Sequence, residues 1–439
     1  DPWTGRTPVE TDPTRMCELL VGLPDVVVRA VESHGDAGPL VVHVGFPEHW
    51  QQDCPTCGRR GWVKGHRVVR LTDLPAFGRP VVLAWHKVRR TCPEPGCPQQ
   101  SWTTSDQRIA GRRCSVTHRA GRWVTEQVGQ QRRAVAAVAR ELGCDWHTVN
   151  DTVIAYGRLL VEDPDRIGTV TAIGMDETLF NRTGTYRAQQ WATTFADVDG
   201  HRLIDICQGR DSESVLGWLE QRPQSWLEAI EVGTLDMASS YRSIYRQILP
   251  QATLVVDPFH LVKHANLSLD RTRCAVQNQT LGHRGHKNDP LYRSRRLLTK
   301  AQERLTDGGQ EKLRGLLAAG DPDGHVATAW QAKEAVREIY AQPPENAAEY
   351  LAALSADLTH PDRHAHVRRL GRTLRTWATE ILGWHTTKAT NGPTEGQNNL
   401  IKATKRVGFG FRCFRNYRIR VLLDAGGVNW DHLPTLTPP

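Results

Sequence analysis

The chain has 439 residues, with 56 Lys plus Arg against 48 Asp plus Glu, a formal charge of +8 and a pI near 9.0. That length exceeds one ordinary core and implies about two to four domains, and the charge balance favours a polyanionic partner. No apolar run approaches the ~20 residues of a membrane span and no charged-then-apolar leader opens the chain, so a cytoplasmic protein without membrane contact is expected.

The start at Asp1 rather than Met reads as the loss of a few residues. Of ten Cys, four cluster with ligand spacing and six are scattered, as small buried side chains are in a reducing compartment. Strand-like runs at 25–31 and 40–44, joined through a Gly-containing turn, predict a hairpin opening a β-rich domain over 1–104. Cys54, Cys57, Cys92 and Cys97 then give C-x2-C, 34 intervening residues and C-x4-C. Pro and Gly in each knuckle help backbone amides turn towards the thiolates, and strands at 67–71 and 80–89 can bring the pairs together. Four thiolates in a tetrahedral cage suit one structural Zn²⁺, which makes this a zinc ribbon.

Helical spacing at 131–143 and from Trp146 to about 160, with Gly143 ending the first helix and Asp145 capping the second, predicts a helix-turn-helix domain over 105–165. An ordinary helical hairpin is the alternative. His147, Thr148 and Asn150 are expected at base edges, and Arg132 and Arg133 among the phosphate contacts.

The chain is organised around 169–178, a β-branched strand running into Asp176 and Glu177. Gly233-Thr234-Leu235-Asp236 repeats that pattern, and Pro393-Thr394-Glu395 puts an acid in the first turn of a helix. Between them the spacing predicts a hairpin of 189–197 with 202–208, a helix over 212–230, a helix over 241–249 and a strand over 252–256. Strand, strand, strand, helix, strand, helix, strand is the order of a ribonuclease-H-like core, assigned here together with its acids. Three converging carboxylates repel each other, and hard divalent cations relieve that. Two such ions stabilise the attacking and leaving oxygens of an in-line phosphoryl displacement, so Asp176, Asp236 and Glu395 are the expected catalytic ligands of Mg²⁺ or Mn²⁺.

From about 265 to 390 the pattern is helical and charged, an all-α insertion into a core that spans 166–264 and 391–439. Its cluster around Arg293, Arg295 and Arg296 reads either as DNA contact or as a solvated face. On the last long helix Glu395, Asn398, Asn399, Lys402 and Arg406 share one face, and the amide and basic stripe suits DNA phosphates. The fold class is therefore multidomain α+β.

GMDET around Asp176, LDMASSY around Asp236, VVDPFH at 255–260 and TEGQNNLIKATKR around Glu395 follow the cysteine pairs and the helix pair in that order. Together they resemble the DDE transposases of bacterial insertion sequences, in the ISL-three family. The resemblance covers most of the chain and is weakest over 1–50 and 280–385. It implies DNA cleavage and strand transfer at terminal inverted repeats, two Mg²⁺ or Mn²⁺ ions per site with Asp176 bridging both, and a structural or DNA-facing role for Asp257. It also implies double-stranded DNA as partner, both repeats and target, a homodimer in the synaptic complex, and a place at the nucleoid. Two other classes fit the same sequence: a zinc and helix-turn-helix DNA binder without catalysis, and a ribonuclease-H-fold nuclease acting on branched substrates.

Overall fold

The computed structural model describes residues 10–36, 38–48, 50 and 52–438. They divide into two compact units, one running to Arg166 and resuming at Ile401, the other covering 167–400.

In the first unit Asp12 caps α1 (Pro13–Val21) by accepting from the Arg15 N–H. The expected hairpin forms as β1 (Val27–Ser33) and β2 (Leu40–Gly45). β3 (Trp62–Ala76) and β4 (Arg79–Thr91) are longer than the runs that predicted them, because their pairing continues from Ala76↔Arg79 at the turn to Trp62↔Thr91 beside the cysteines. β2 lies parallel to β4, and a short β5 (Ser101–Thr103), not foreseen from sequence, extends β4's partnership. The sheet is thus mixed, in the order β1-β2-β4-β3, and buries Val44, Leu71, Leu83, Trp85 and Ile109.

Three helices follow, α2 (His118–Gly129), α3 (Val135–Leu142) and α4 (Trp146–Val161). The expected start of the second at 131 moves to Val135, since Arg132 adopts φ 55°, a left-handed conformation no helix continues through. Gly143 ends α3 at φ 65°, and Asp145 caps α4 by accepting from the Thr148 N–H, both as the sequence predicts. Val138, Ala139, Leu142, Val149 and Val153 are buried where α3 and α4 pack.

The second unit opens with the meander β6 (Ala172–Thr183), β7 (Ala188–Asp197) and β8 (Arg202–Gln208). α5 (Ser212–Leu219) and α6 (Gln224–Glu228) replace the single helix expected over 212–230, because Pro223 has no N–H to continue the first. β9 (Val232–Leu235), α7 (Ser239–Ile248) and β10 (Thr253–Val256) complete a mixed sheet in the order β10-β9-β6-β7-β8, with β6 central.

Seven helices come next: α8 (Pro258–Leu281), α9 (Pro290–Thr299), α10 (Asp307–Gly320), α11 (His325–Glu338), α12 (Pro344–Leu358), α13 (Ala365–Thr376) and α14 (Ala378–Thr387). They share one apolar cluster with the sheet, running from Ile173 and Val256 to Val326, Leu351 and Ile381. α14 lies so close on β10 that a Cβ at Gly383 would meet the Leu254 carbonyl at 2.4 Å. Buried Glu380 on the same helix is held by Arg242 at 2.6 Å and Arg246 at 2.9 Å, both from α7. α15 (Gly392–Val407) starts in this unit, and its last residues return the chain to the first, where α16 (Phe414–Ala425) packs on α4. Among the described residues no helix is long and apolar enough to cross a membrane.

Candidate active site and cysteine cluster

Parallel pairing of β6 with β9 ends at Met175↔Leu235, and that of β9 with β10 at Leu235↔Val256. Asp176, Asp236 and Asp257 are each the next residue, so three acids stand in a row at one edge, about 4.8 Å apart from strand to strand. β6 does not end at its acids but runs on to Thr183, because β7 keeps pairing with it after β9 has stopped. The carboxyl edge of parallel strands is where open sheets bind ligands.

The start of α15 is pressed onto this edge. A Cβ at Gly174, two residues before Asp176 on the same face, would meet Thr394 Oγ1 at 2.0 Å and Thr234 Oγ1 at 2.9 Å. Glycine therefore lets the helix that carries Glu395 approach the central strand. Gly174→Ala is expected to cost roughly 1–3 kcal/mol of overpacking in urea unfolding; unchanged stability would mean the helix seats elsewhere.

Two matched relays hold the aspartates. Asn398 donates from Nδ2 to Asp176 Oδ2, while the Thr194 hydroxyl donates to Asn398 Oδ1 at 2.8 Å. Asn391 donates from Nδ2 to Asp236 Oδ1 at 3.0 Å, while the Thr234 hydroxyl donates to Asn391 Oδ1 at 3.0 Å. Both threonines and both asparagines are buried. With its oxygen occupied by a hydroxyl, each carboxamide must turn its NH₂ to the carboxylate, so neither flips without losing both bonds. His260 bridges the acids: Nδ1 lies 3.1 Å from Asp257 Oδ2, and Nε2 lies 3.1 Å from Asp236 Oδ2 and 3.8 Å from Glu395 Oε1.

Burial, then repulsion from Asp236, pushes the Asp176 carboxyl up to about 6. Burial also raises Asp236, against the opposing pull of His260 and Asn391. The hydrogen bond to Asp257 raises His260. Half-buried carboxylate oxygens gathered at one edge fit a hard divalent cation.

The sequence singled out the two aspartates and the glutamate, but not Asn391, nor the parts played by Asn398, His260 and the threonines. Asp257 and His260 stand at i and i+3, a spacing that could have signalled their pairing. The two Thr–Asn contacts span 204 and 157 residues, which no local pattern reveals.

In the first unit the β3–β4 ladder brings Cys57 Sγ to 3.5 Å from Cys92 Sγ, and Cys54 Sγ lies 3.8 Å from Cys97 Sγ. All four sulfurs lie within 4.8 Å of one another, and this is the one such set of three or more ligand residues among the described residues. Gly58 at φ 70° and its N–H to the Cys54 carbonyl, 2.9 Å, close the first knuckle. Burial works against ionisation of Cys54, yet the backbone N–H groups of Cys57 and Thr56 bring its thiol down to about 7. Four sulfurs at these separations fit a tetrahedral soft-metal cage.

The predicted DNA-contact residues divide. His147 is exposed on α4, and Arg293 and Arg296 are exposed on α9. Asn399, Lys402 and Arg406 are exposed along α15, whereas Asn398 of the same predicted stripe is turned to Asp176. Asn150 is corrected: it is 7% exposed, because the inner face of α4 is wide enough to include it beside Val149 and Val153. The Thr148 hydroxyl is occupied too, donating to the capping Asp145 at 2.9 Å. Arg132 is ion-paired with Asp424, Arg133 with Glu141, and the Arg295 guanidinium sits 3.8 Å from the centre of the Tyr292 ring.

Comparison with known proteins gives four findings. The chain is 27% identical over 402 residues to the transposase of insertion sequence element IS1001 from Bordetella parapertussis, covering 91% of this chain and 95% of that one. It is 25% identical over 321 residues to the transposase of IS1557 from Mycobacterium tuberculosis, covering 68% and 69%. Among solved structures, the Drosophila P element transposase strand transfer complex aligns with a TM-score of 0.39 and 9% identity, over 71% of this chain and 92% of that one. The profile of the ISL3 (ISL-three) family of DDE enzymes, described as "Transposase", matches residues 173–421, more than half of the chain, which therefore belongs to that family of DNA transposases.

Proposed function

We propose that this transposase cuts DNA at the terminal inverted repeats of an insertion sequence and joins the freed end to target DNA, with Asp176, Asp236 and Glu395 holding two divalent cations in a ribonuclease-H-like core. The observation that carries this reading is the convergence of the acids: Asp176 and Asp236 directly follow paired parallel strands at one sheet edge, and His260 Nε2 lies 3.1 Å from Asp236 and 3.8 Å from Glu395. The order β8-β7-β6-β9-β10, with the meander first and the two parallel strands after it, supports the core. Two Mg²⁺ or Mn²⁺ ions, about 3.5–4 Å apart, would stabilise the entering and leaving oxygens of an in-line displacement at phosphorus.

Asp176, on the central strand, would hold the ions together with Asp236 and Glu395, and the ions would supply charge stabilisation to the reacting phosphate oxygens. Asn398 and Asn391 fix the two aspartates in rotation, leaving lone pairs of each carboxylate for the ions. Asp257 acts through His260, which it orients onto Asp236 and Glu395. The cysteine cluster holds one structural Zn²⁺. α3 and α4 act as a helix-turn-helix on the repeats, with exposed His147 towards the bases and Arg293 and Arg296 towards phosphates. Bringing two element ends together requires two copies, so the synaptic complex is a homodimer at least.

The direct test is cleavage of a duplex carrying the element's terminal repeat. Nicks at the repeat end that require Mg²⁺ support the reading, and binding without cleavage in either Mg²⁺ or Mn²⁺ overturns it. Thr194→Val, which removes only the hydroxyl that orients Asn398, should lower cleavage or Mn²⁺ affinity by about 10–100-fold, the usual cost of losing a group that orients a metal ligand. Thr194→Ser should restore it. If Thr194→Val lowers the melting temperature but leaves Mn²⁺ affinity unchanged, the relay is merely structural.

A further inference from the structure

α8 begins at the active site and leads away from it. Its first turn carries His260, and at 100° per residue His264, Leu267 and Arg271 fall on nearly the same line as His260. Across from them, one face of α13 presents His366, Arg369, Leu370 and Thr373, and the eight side chains of His264, Leu267, Ser268, Arg271 and this quartet line one open pocket. The Ser268 hydroxyl, donating to the His366 carbonyl at 2.9 Å, fixes the two helices together.

The pocket's charge is one-sided. No carboxylate lines it. Arg271 and Arg369 are exposed, and among the described residues neither pairs with an acid. The acid nearest in sequence, Asp270, is taken by Arg273 at 2.7 Å. Burial, and then the neighbouring cations, among them Arg271 and Arg369, hold His264 and His366 below the usual imidazole range. Two guanidinium groups without an acid partner, set beside two imidazoles on facing helices, form a site that an anion would complete.

We propose that this α8–α13 groove binds the phosphodiester backbone of the DNA strand that leads into the active site. From His260 to Arg271 the helix climbs about 16 Å at its ~1.5 Å rise per residue. One DNA strand carries a phosphate about every 3.4 Å of axis, so the groove meets that strand about five nucleotides from the scissile position. Arg271 and Arg369 take successive phosphates in forked contacts, and Leu267, 44% exposed and one turn before Arg271 on α8, lies against the sugar edge. The direction of the track rests on the catalytic reading above, whereas the affinity of the groove for phosphate does not.

The experiment measures binding of the full chain to a fluorescent duplex of arbitrary sequence across a salt series, and separately measures cleavage of the terminal repeat. Arg271→Ala with Arg369→Ala should make the slope of log affinity against log salt shallower by about 1.8, at about 0.9 per phosphate contact. The loss of affinity between about 50 and about 200 mM salt then shrinks about twelvefold. Arg271→Lys with Arg369→Lys, which keeps the charges, should retain the original slope and so exclude misfolding as the cause. An alanine pair with the unmodified slope and affinity would overturn the proposal. So would a lysine pair as defective as the alanine pair. If the unmodified protein fails to cleave the repeat while the slope difference remains, the catalytic reading falls and the groove stands.

Discussion

Asp236→Asn is expected to lower strand cleavage by about a thousandfold or more while leaving DNA binding intact. The substitution keeps the size of the side chain and its place after β9, so the Asn391 relay and the neighbouring strands lose little packing. It removes the negative charge that a cation at this edge requires. A bound divalent ion supplies several kcal/mol of transition-state charge stabilisation, which is a factor of this order in rate. Glu395→Gln should behave in the same way, from a different element. Glu177→Gln is the comparison: Glu177 neighbours Asp176 on the strand, so its side chain leaves the opposite face, and it lies 3.4 Å from Arg210 instead. Its loss should leave appreciable cleavage. Strand cleavage on a terminal-repeat duplex, beside a gel shift on the same DNA, reads both quantities. Normal cleavage by Asp236→Asn with a dead Glu177→Gln would move the site to the other face of β6.

The second large effect lies in the first unit. Purified protein should contain one zinc per chain, and Cys57→Ser should lose it and open the end of the β3–β4 ladder to protease. The binding energy of a four-ligand structural zinc site is about 10–16 kcal/mol, and it is folding energy for the segment that makes the site. This part of the sheet has little else. Trp62 and Val63 at the far end of β3 are 66% and 59% exposed, so apolar burial does not hold the ladder there. Protein free of zinc with 54–97 still protected from protease would refute the assignment.

The acids were legible in sequence because each stands next to a short apolar strand or in the first turn of a helix, positions that local pattern fixes. The cysteine pairs were legible for the same reason, since knuckle spacing is local. The strand and helix order of the second unit followed from periodicity, with the exception of the break at Pro223, where the apolar spacing continues across a residue that cannot continue a helix. What supports the acids was hidden. Thr194 and Thr234 read as ordinary β-branched strand residues, and only the folded sheet brings them to Asn398 of α15 and to Asn391 just before that helix. Asn150 failed for a different reason. A helix buried on a broad face leaves about half its positions ambiguous by one residue, and the packing of α4 decided that one. The groove between α8 and α13 was equally unreadable, because its two arginines lie 98 residues apart in the chain and neither stands in a charged run long enough to draw attention.

Exchange of the metal tests most directly whether these carboxylates are ligands. Asp236→Cys replaces a hard oxygen donor with a thiolate, which binds Mg²⁺ poorly and softer Mn²⁺ better. The account predicts no cleavage of the terminal repeat by this variant in Mg²⁺ and recovery of at least about tenfold in Mn²⁺, a thiol-dependent change that Asp236→Ala should lack. Equal activity of Asp236→Cys in the two metals, or equal recovery of Asp236→Ala in Mn²⁺, would contradict metal ligation by Asp236.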